Sequence, residues 1–152
     1  MGENKGKKFE ARFREDWPKA FPKSFCYRLP DQISYYHNSS NPCDFICFTN
    51  STLFLLELKT HNGNTFPLAN LTQYEKLLSY DCIDNCKVGV ILWMIDHDCI
   101  VFIPISTVKQ LKDEGKKSFN IKDIDKGYKL TIIPTVKRRT FLTADYTKLL
   151  ED

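Results

Sequence analysis

Residues 41–60 read NPCDFICFTNSTLFLLELKT, and the fold turns on how this stretch is read. Two apolar, β-prone runs flank Asn50-Ser51, and Asn tolerates the positive φ that a two-residue hairpin loop demands. With Asn50-Ser51 as the loop, Thr49 lies opposite Thr52. Counting outward sets Asp44 directly across from Glu57. Lys59 is two residues beyond Glu57, so the period of two along a strand puts it on the same face.

This arrangement carries a cost. Like charges directly opposed across a strand pair destabilise it. Leu53 to Leu58 is apolar on both faces apart from Glu57, which is the pattern of a central, buried strand. Glu and Lys are rarely buried without partners. A plain Glu57–Lys59 ion pair at a strand end, with Asp44 as a turn charge, is one solution. A hard divalent cation is another, because carboxylate oxygens are its preferred ligands. Three charges converging on one face of a buried hairpin favour the cation.

Asp44, then twelve residues, then Glu57-Leu58-Lys59 resembles the PD-(D/E)xK nuclease signature, with Pro42-Cys43-Asp44 as a loosened first half. The opening Asn4-Lys5-Gly6 with Phe9-Glu10 is similar to that of RecU-type Holliday-junction resolvases. Phe66-Pro67-Leu68-Ala69-Asn70-Leu71 resembles the segment that follows the family's lysine. The resemblance, to a short phage- or prophage-type member, runs in order through residues 4–105. It implies a restriction-endonuclease-like α/β core, a mixed and largely antiparallel sheet flanked by helices, within a single nuclease domain spanning residues 1–152. It also implies a Mg²⁺-dependent endonuclease (Mn²⁺ being the alternative ion) that cuts four-way or otherwise branched DNA in recombination and repair, and a two-fold homodimer.

In that resemblance Asp44, Glu57 and the Leu58 carbonyl would hold the metal, and Lys59 would serve the attacking water or the charge developing on the phosphate. A glutamate at the position of Glu10 reaches toward the metal site, although a surface pairing of Glu10 with Arg14 at i+4 competes. The family places a glutamine on the helix after the hairpin. Counting from Phe66, that position is Glu75, while the nearest glutamine is Gln73, and spacing puts Glu75 ahead of Gln73 for the role. RecU proteins also carry a long basic stalk near residues 30–41, where this chain has a short polar stretch with little positive charge. That departure touches junction preference more than phosphodiester chemistry.

The net charge of +3 does not by itself announce a nucleic-acid partner. Its distribution says more. Lys5, Lys7, Lys8 and Arg12 crowd the first element, and Lys137-Arg138-Arg139 form a second cluster. Both are candidate phosphate contacts and both also fit a solvated surface. The charged N-terminus lacks an apolar segment of signal-peptide type, and no apolar run reaches the length of a membrane span. The expectation is a cytoplasmic protein, in a bacterial cell or a phage-infected host, with no membrane partner and with its cysteines as thiols.

Along the rest of the chain, Phe9, Phe13 and Trp17 at helical spacing predict a helix over residues 3–16, ended by Pro18 and Pro22. Residues 24–29 predict a strand and residues 30–41 an extended loop. Asn62-Gly63 marks a turn. Leu71, Tyr74, Leu77 and Leu78 predict a helix over residues 70–81. Residues 87–95 and 99–105 form a second apolar hairpin around Asp96-His97-Asp98, whose adjacent side chains cannot converge on one ion. A short helix is expected within residues 104–115, a strand over 128–133 and a capped closing helix over 143–150. Cys43/Cys47 and Cys82/Cys86 have CxxxC spacing. On a strand, positions i and i+4 are about 13 Å apart, too far for one tetrahedral zinc.

Two other functions fit the same residues. One is a nuclease of this type with a homing, restriction or repair target. The other is a non-catalytic DNA-binding module on a nuclease scaffold, against which the intact Asp44, Glu57 and Lys59 argue.

Overall fold

A computed structural model describes residues 4–31 and 41–151. The loop expected over residues 30–41 lies almost wholly outside the described residues. The chain opens with helix α1 (Lys5–Ala20) and strand β1 (Phe25–Arg28). The hairpin β2 (Phe45–Thr49) and β3 (Thr52–His61) follows, then β4 (Thr65–Pro67) and helix α2 (Tyr74–Ser79). Next come β5 (Cys86–Met94), β6 (Cys99–Pro104), helix α3 (Ile105–Asp113) and β7 (Ser118–Asn120). Strands β8 (Thr131–Ile133), β9 (Thr135–Lys137) and β10 (Leu142–Ala144) close the chain, with a 3₁₀ segment at Tyr146–Leu150.

Six strands form the central sheet in the order β1-β2-β3-β5-β6-β8. Every neighbouring pair is antiparallel except β3 and β5, which run parallel. The architecture is α/β with a mixed, largely antiparallel sheet, as the sequence implied. The hairpin register also matches. Thr49 pairs with Thr52 and Phe45 with Leu56, where the ladder ends, which leaves Asp44 just beyond it at the end of the hairpin that carries Glu57. Asn50 and Ser51 both take positive φ, at 50° and 58°, the twist that lets a two-residue loop join right-twisted strands. β3 is central, and Phe54 to Leu58 is a continuous buried run.

The sheet separates two apolar layers. On one face, Phe9, Phe13 and Trp17 of α1 pack on Phe45, Phe54, Leu56 and Leu58. On the other, Leu71, Tyr74 and Leu77 around α2 and Val108 and Leu111 of α3 pack on Leu55, Val90 and Ile103. Because β-strand side chains alternate, Glu57 lies on the α2/α3 face while Leu56 and Leu58 face α1.

Several boundaries depart from the sequence reading. α1 runs through Pro18 to Ala20. Proline in the last turn removes one hydrogen bond, and the buried Trp17 and the Phe21 N–H bonded to the Trp17 carbonyl at 2.9 Å hold that turn. The helix expected over residues 70–81 is a 3₁₀ turn at Leu68–Asn70 and then the short α2, although its apolar face is buried as the periodicity required. The closing helix over 143–150 is replaced by β10 and the 3₁₀ segment. Asp16 explains this change. It is 1% exposed and accepts hydrogen bonds from the Ala144 N–H at 2.9 Å and the Thr143 hydroxyl at 2.7 Å, which fixes this segment in extended form against α1. Asp145 then caps the 3₁₀ turn by accepting from the Thr147 N–H at 3.0 Å.

Gly89 sits where β5 lies between β3 and β6. A Cβ there would come within 2.4 Å of the Ile103 carbonyl oxygen and 2.8 Å of the Phe102 ring. Gly89→Ala is therefore expected to destabilise the protein by about 3 kcal/mol. Urea denaturation measures this, and a loss near zero would mean that the strands spread without cost.

Candidate active site

The site begins with the place where β2 stops. Asp44 precedes the strand, and its N–H donates at 3.0 Å to the carbonyl of Leu56, the residue already paired with Phe45. Its carboxylate turns toward β3 and accepts from the Leu58 N–H, with Oδ2 at 2.9 Å. Leu58 shares the orientation of Leu56 along the strand, so its carbonyl also points to the β2 side, past the end of β2. Glu57 is 6% exposed and stands on the α2/α3 face with Lys59, whose Nζ is 3.6 Å from Oε2. The two carboxylates, the lysine and the Leu58 backbone thus come together at the open end of the hairpin.

The electrostatics follow from burial. Desolvation, and then repulsion from Asp44, push the Glu57 carboxyl up to about 7, against the pull of Lys59. Burial also raises Asp44, offset in part by the Leu58 N–H and by Lys59 and Arg28. One lysine does not compensate two partly buried carboxylates. All the donors are hard oxygens, namely two carboxylates and one carbonyl, which is the set that suits Mg²⁺ or Mn²⁺. Among the described residues no three His, Cys, Asp or Glu side chains cluster as a metal cage. The fit therefore rests on the pair plus the backbone, with waters completing the shell as Mg²⁺ prefers.

The carboxylates open into a pocket of about 230 Å³ lined by Arg28, Asp31, Asn41, Asp44, Glu57 and Gln73, among others. Arg28 carries no motif in the sequence, yet it organises this rim. It follows from strand β1, where it pairs with Phe45 one rung from Asp44. Its Nε donates to Glu10 Oε1 at 2.8 Å and its Nη2 to Oε2 at 3.3 Å, a two-pronged grip that raises the Arg28 pKa. Its Nη1 also donates to the Leu29 carbonyl at 2.6 Å and to Asp31 at 3.0 Å. Glu10 is held at the site by Arg28, 18 positions along the chain, and not by the Arg14 pairing its own helix offered.

Of the two residues considered for the α2 position, Gln73 borders the pocket, while Glu75 lies on the exposed side of the helix and outside the lining. Lys5, Lys7 and Lys8 are exposed on α1, and Arg12 is half-buried and paired with Asp16 at 3.1 Å. Lys137 pairs with Asp98 at 2.9 Å, and Arg138 and Arg139 are exposed at the turn between β9 and β10. The Asp96-His97-Asp98 turn has separate partners. Asp96 accepts from the Gly63 N–H at 2.6 Å, His97 meets Asn64 at 2.7 Å and Asp98 takes Lys137. Cys43 and Cys47 go to different layers, Cys43 beside the pocket and Cys47 with its Sγ 3.4 Å from that of Cys26.

No protein-family model matches this chain. No curated protein matches it by sequence either. Among solved structures, it is similar to the Holliday junction resolvase Hjc of the archaeal hyperthermophile Archaeoglobus fulgidus. The match has a TM-score of 0.49 and 19% identity, over 67% of this chain and 78% of that one.

Glu57 makes stability depend on pH. Its folded pKa, about 7, lies above the value of about 4.3 for an unfolded glutamate, so the folded state favours the protonated carboxyl. In chelator, its contribution is full below the unfolded value and is lost as pH rises through about 7, a decline of roughly 4 kcal/mol. Asp44 acts with the same sign. Glu57→Gln is expected to flatten this decline and to be more stable than wild type at pH 8. Denaturation curves from pH 4 to 8 check it, and an unchanged slope would show that Glu57 is solvated.

Proposed function

We propose that the protein is a metal-dependent endonuclease that hydrolyses DNA phosphodiester bonds, most readily at branched DNA such as a four-way junction. The observation that carries this reading is the enforced juxtaposition of Asp44 and Glu57 at the end of the hairpin, with Lys59 on the same face. A sheet retains adjacent, half-desolvated carboxylates at a cost, and a bound divalent cation turns that cost into affinity.

Asp44, Glu57 and the Leu58 carbonyl would hold Mg²⁺, with Mn²⁺ as a substitute. When bound, such an ion polarises the phosphoryl oxygen and lowers the pKa of the attacking water. The remaining work belongs to side chains. Lys59 Nζ stands beside Glu57 and supplies positive charge where negative charge develops on the phosphorane oxygens. Arg28 fixes the Glu10 carboxylate at the rim, where it accepts from water at the site. Gln73 offers both a donor and an acceptor on the opposite wall. Symmetric cutting of two junction strands requires two such sites, so the active form is proposed to be a two-fold homodimer.

The absence of Lys and Arg from residues 30–41 favours a second reading, in which the same chemistry serves another DNA target. A labelled mobile four-way junction and its linear duplex arms, with Mg²⁺ and with chelator, separate the two. Symmetric nicking confined to the junction supports a resolvase, and equal cutting of the arms supports a nuclease of broader target. Lys59→Ala and Asp44→Ala are each expected to lower cleavage at least about a hundredfold while DNA binding stays within about two-fold. Full activity in either variant would remove these residues from the chemistry.

A further inference from the structure

A second cavity, of about 310 Å³, lies against α1 on the face of the sheet opposite Glu57 and Lys59. Its floor is apolar and aromatic, formed by Phe9, Trp93, Ile100, Phe141 and Leu142. The Phe9 and Trp93 rings are 5.7 Å apart. Lys5, Lys8 and Arg12 stand among its lining, with Glu15 as the one carboxylate. The two basic clusters of the sequence converge here. The first is α1 itself, and the second ends one residue before Thr140, which together with Phe141 lines the cavity. The Arg12 guanidinium is held by Asp16, with Nε at 3.3 Å and Nη2 at 3.1 Å, and lies 4.2 Å above the centre of the Phe141 ring.

Two features exceed what packing requires. Phe141 is 43% exposed, a large ring presented beside cations and not sunk into the core. Trp93 Nε1 is the only buried side-chain nitrogen or oxygen without a hydrogen-bond partner among the described residues. A buried, unsatisfied donor is disfavoured, and a bound acceptor that reaches it relieves the penalty. Trp93 pairs in register with Thr60, the residue after Lys59, so the cavity and the carboxylates share one end of the sheet.

We infer that this cavity is a base-binding pocket, which takes one unpaired nucleobase of a DNA strand against Trp93 and Phe141 with the adjoining phosphates on Lys5, Lys8 and Arg12. Aromatic faces suit any base, because every base has a π-face to stack. Cations at the mouth suit the backbone. Bases inside a duplex are stacked and paired, so an unpaired position is the one that can enter. Glu15 matches an exocyclic amino group. The choice of a DNA strand as occupant rests on the nuclease reading above.

Fluorescence anisotropy in chelator tests the pocket without cleavage, using an eight-thymidine strand and a fully abasic strand with the same phosphates. Wild type is expected to bind the thymidine strand about tenfold tighter, and Phe141→Ala is expected to lose that preference while keeping its salt dependence. Strand binding is expected to quench tryptophan emission in wild type but not in Trp93→Phe, which retains Trp17. Equal affinity for the two strands, or a preference preserved in Phe141→Ala, overturns the pocket. Thymidine monophosphate competing as well as the strand overturns the strand as its occupant. A wild type that cuts junctions without base preference overturns the pocket alone. One that prefers the thymidine strand and cuts nothing overturns the nuclease reading alone.

Discussion

Much of this structure depends on one unfavourable contact, the placement of Asp44 beside Glu57 at the end of a buried hairpin. The pairing follows from backbone geometry. A two-residue loop with both residues at positive φ allows a single register, and a slip of one position would turn Glu57 into the α1 layer among phenylalanines. The rest of the site answers the charge thus created. The Leu58 N–H takes one Asp44 oxygen, Lys59 stands beside Glu57, and Arg28 closes the rim while holding Glu10. These contacts offset the cost of burial only in part, and desolvation holds both carboxyls above the usual range.

Helix α1 is the element through which the site and the fold constrain each other. One side carries Phe9, Phe13 and Trp17 into the sheet. Glu10 reaches Arg28, and Asp16 reaches the backbone of β10. Asp16 is buried and accepts from both Thr143 and Ala144 as well as from Arg12 of its own helix, so it sets the position of the β9–β10 hairpin relative to α1. Arg139 and Phe141 therefore cannot move independently of the helix that carries Lys5 and Lys8.

The parts of this arrangement that local rules govern were legible in the sequence. The hairpin turn, the register, the central strand and the shared face of Glu57 and Lys59 follow from period two and from the turn preference of Asn50. The buried faces of α1 and α2 follow from their helical spacing. What escaped depends on contacts between distant residues. Arg28 is one arginine on a short strand, and only its partner 18 positions away gives it a role. Thr143 to Leu150 has a helix-like pattern, but Asp16 holds its first residues extended from 127 positions away. Counting from Phe66 put Glu75 ahead of Gln73, whereas Gln73 borders the pocket, because the chain between Phe66 and α2 bends through a 3₁₀ turn that spacing alone does not reveal.

The sign of the charge at the site bears on how a strand would be held. Asp44, Glu57 and Glu10 form an anionic end to the sheet, with Arg28 and Lys59 as the nearby cations. A phosphate backbone is repelled from such a surface until a cation intervenes. Affinity in the proposed reading must therefore come from elsewhere, and the fold supplies it on the other side of α1. There Lys5, Lys8 and Arg12 meet the hairpin that carries Arg138 and Arg139, at the same end of the sheet. Two consequences follow from this division. Salt should act mainly through the α1 flank, where exposed lysines and arginines exchange counterions. Metal should act mainly through the hairpin, where buried oxygens wait on a counter-charge. In the proposed reading, binding and hydrolysis are then separable, joined by the few residues of α1 that touch both sides.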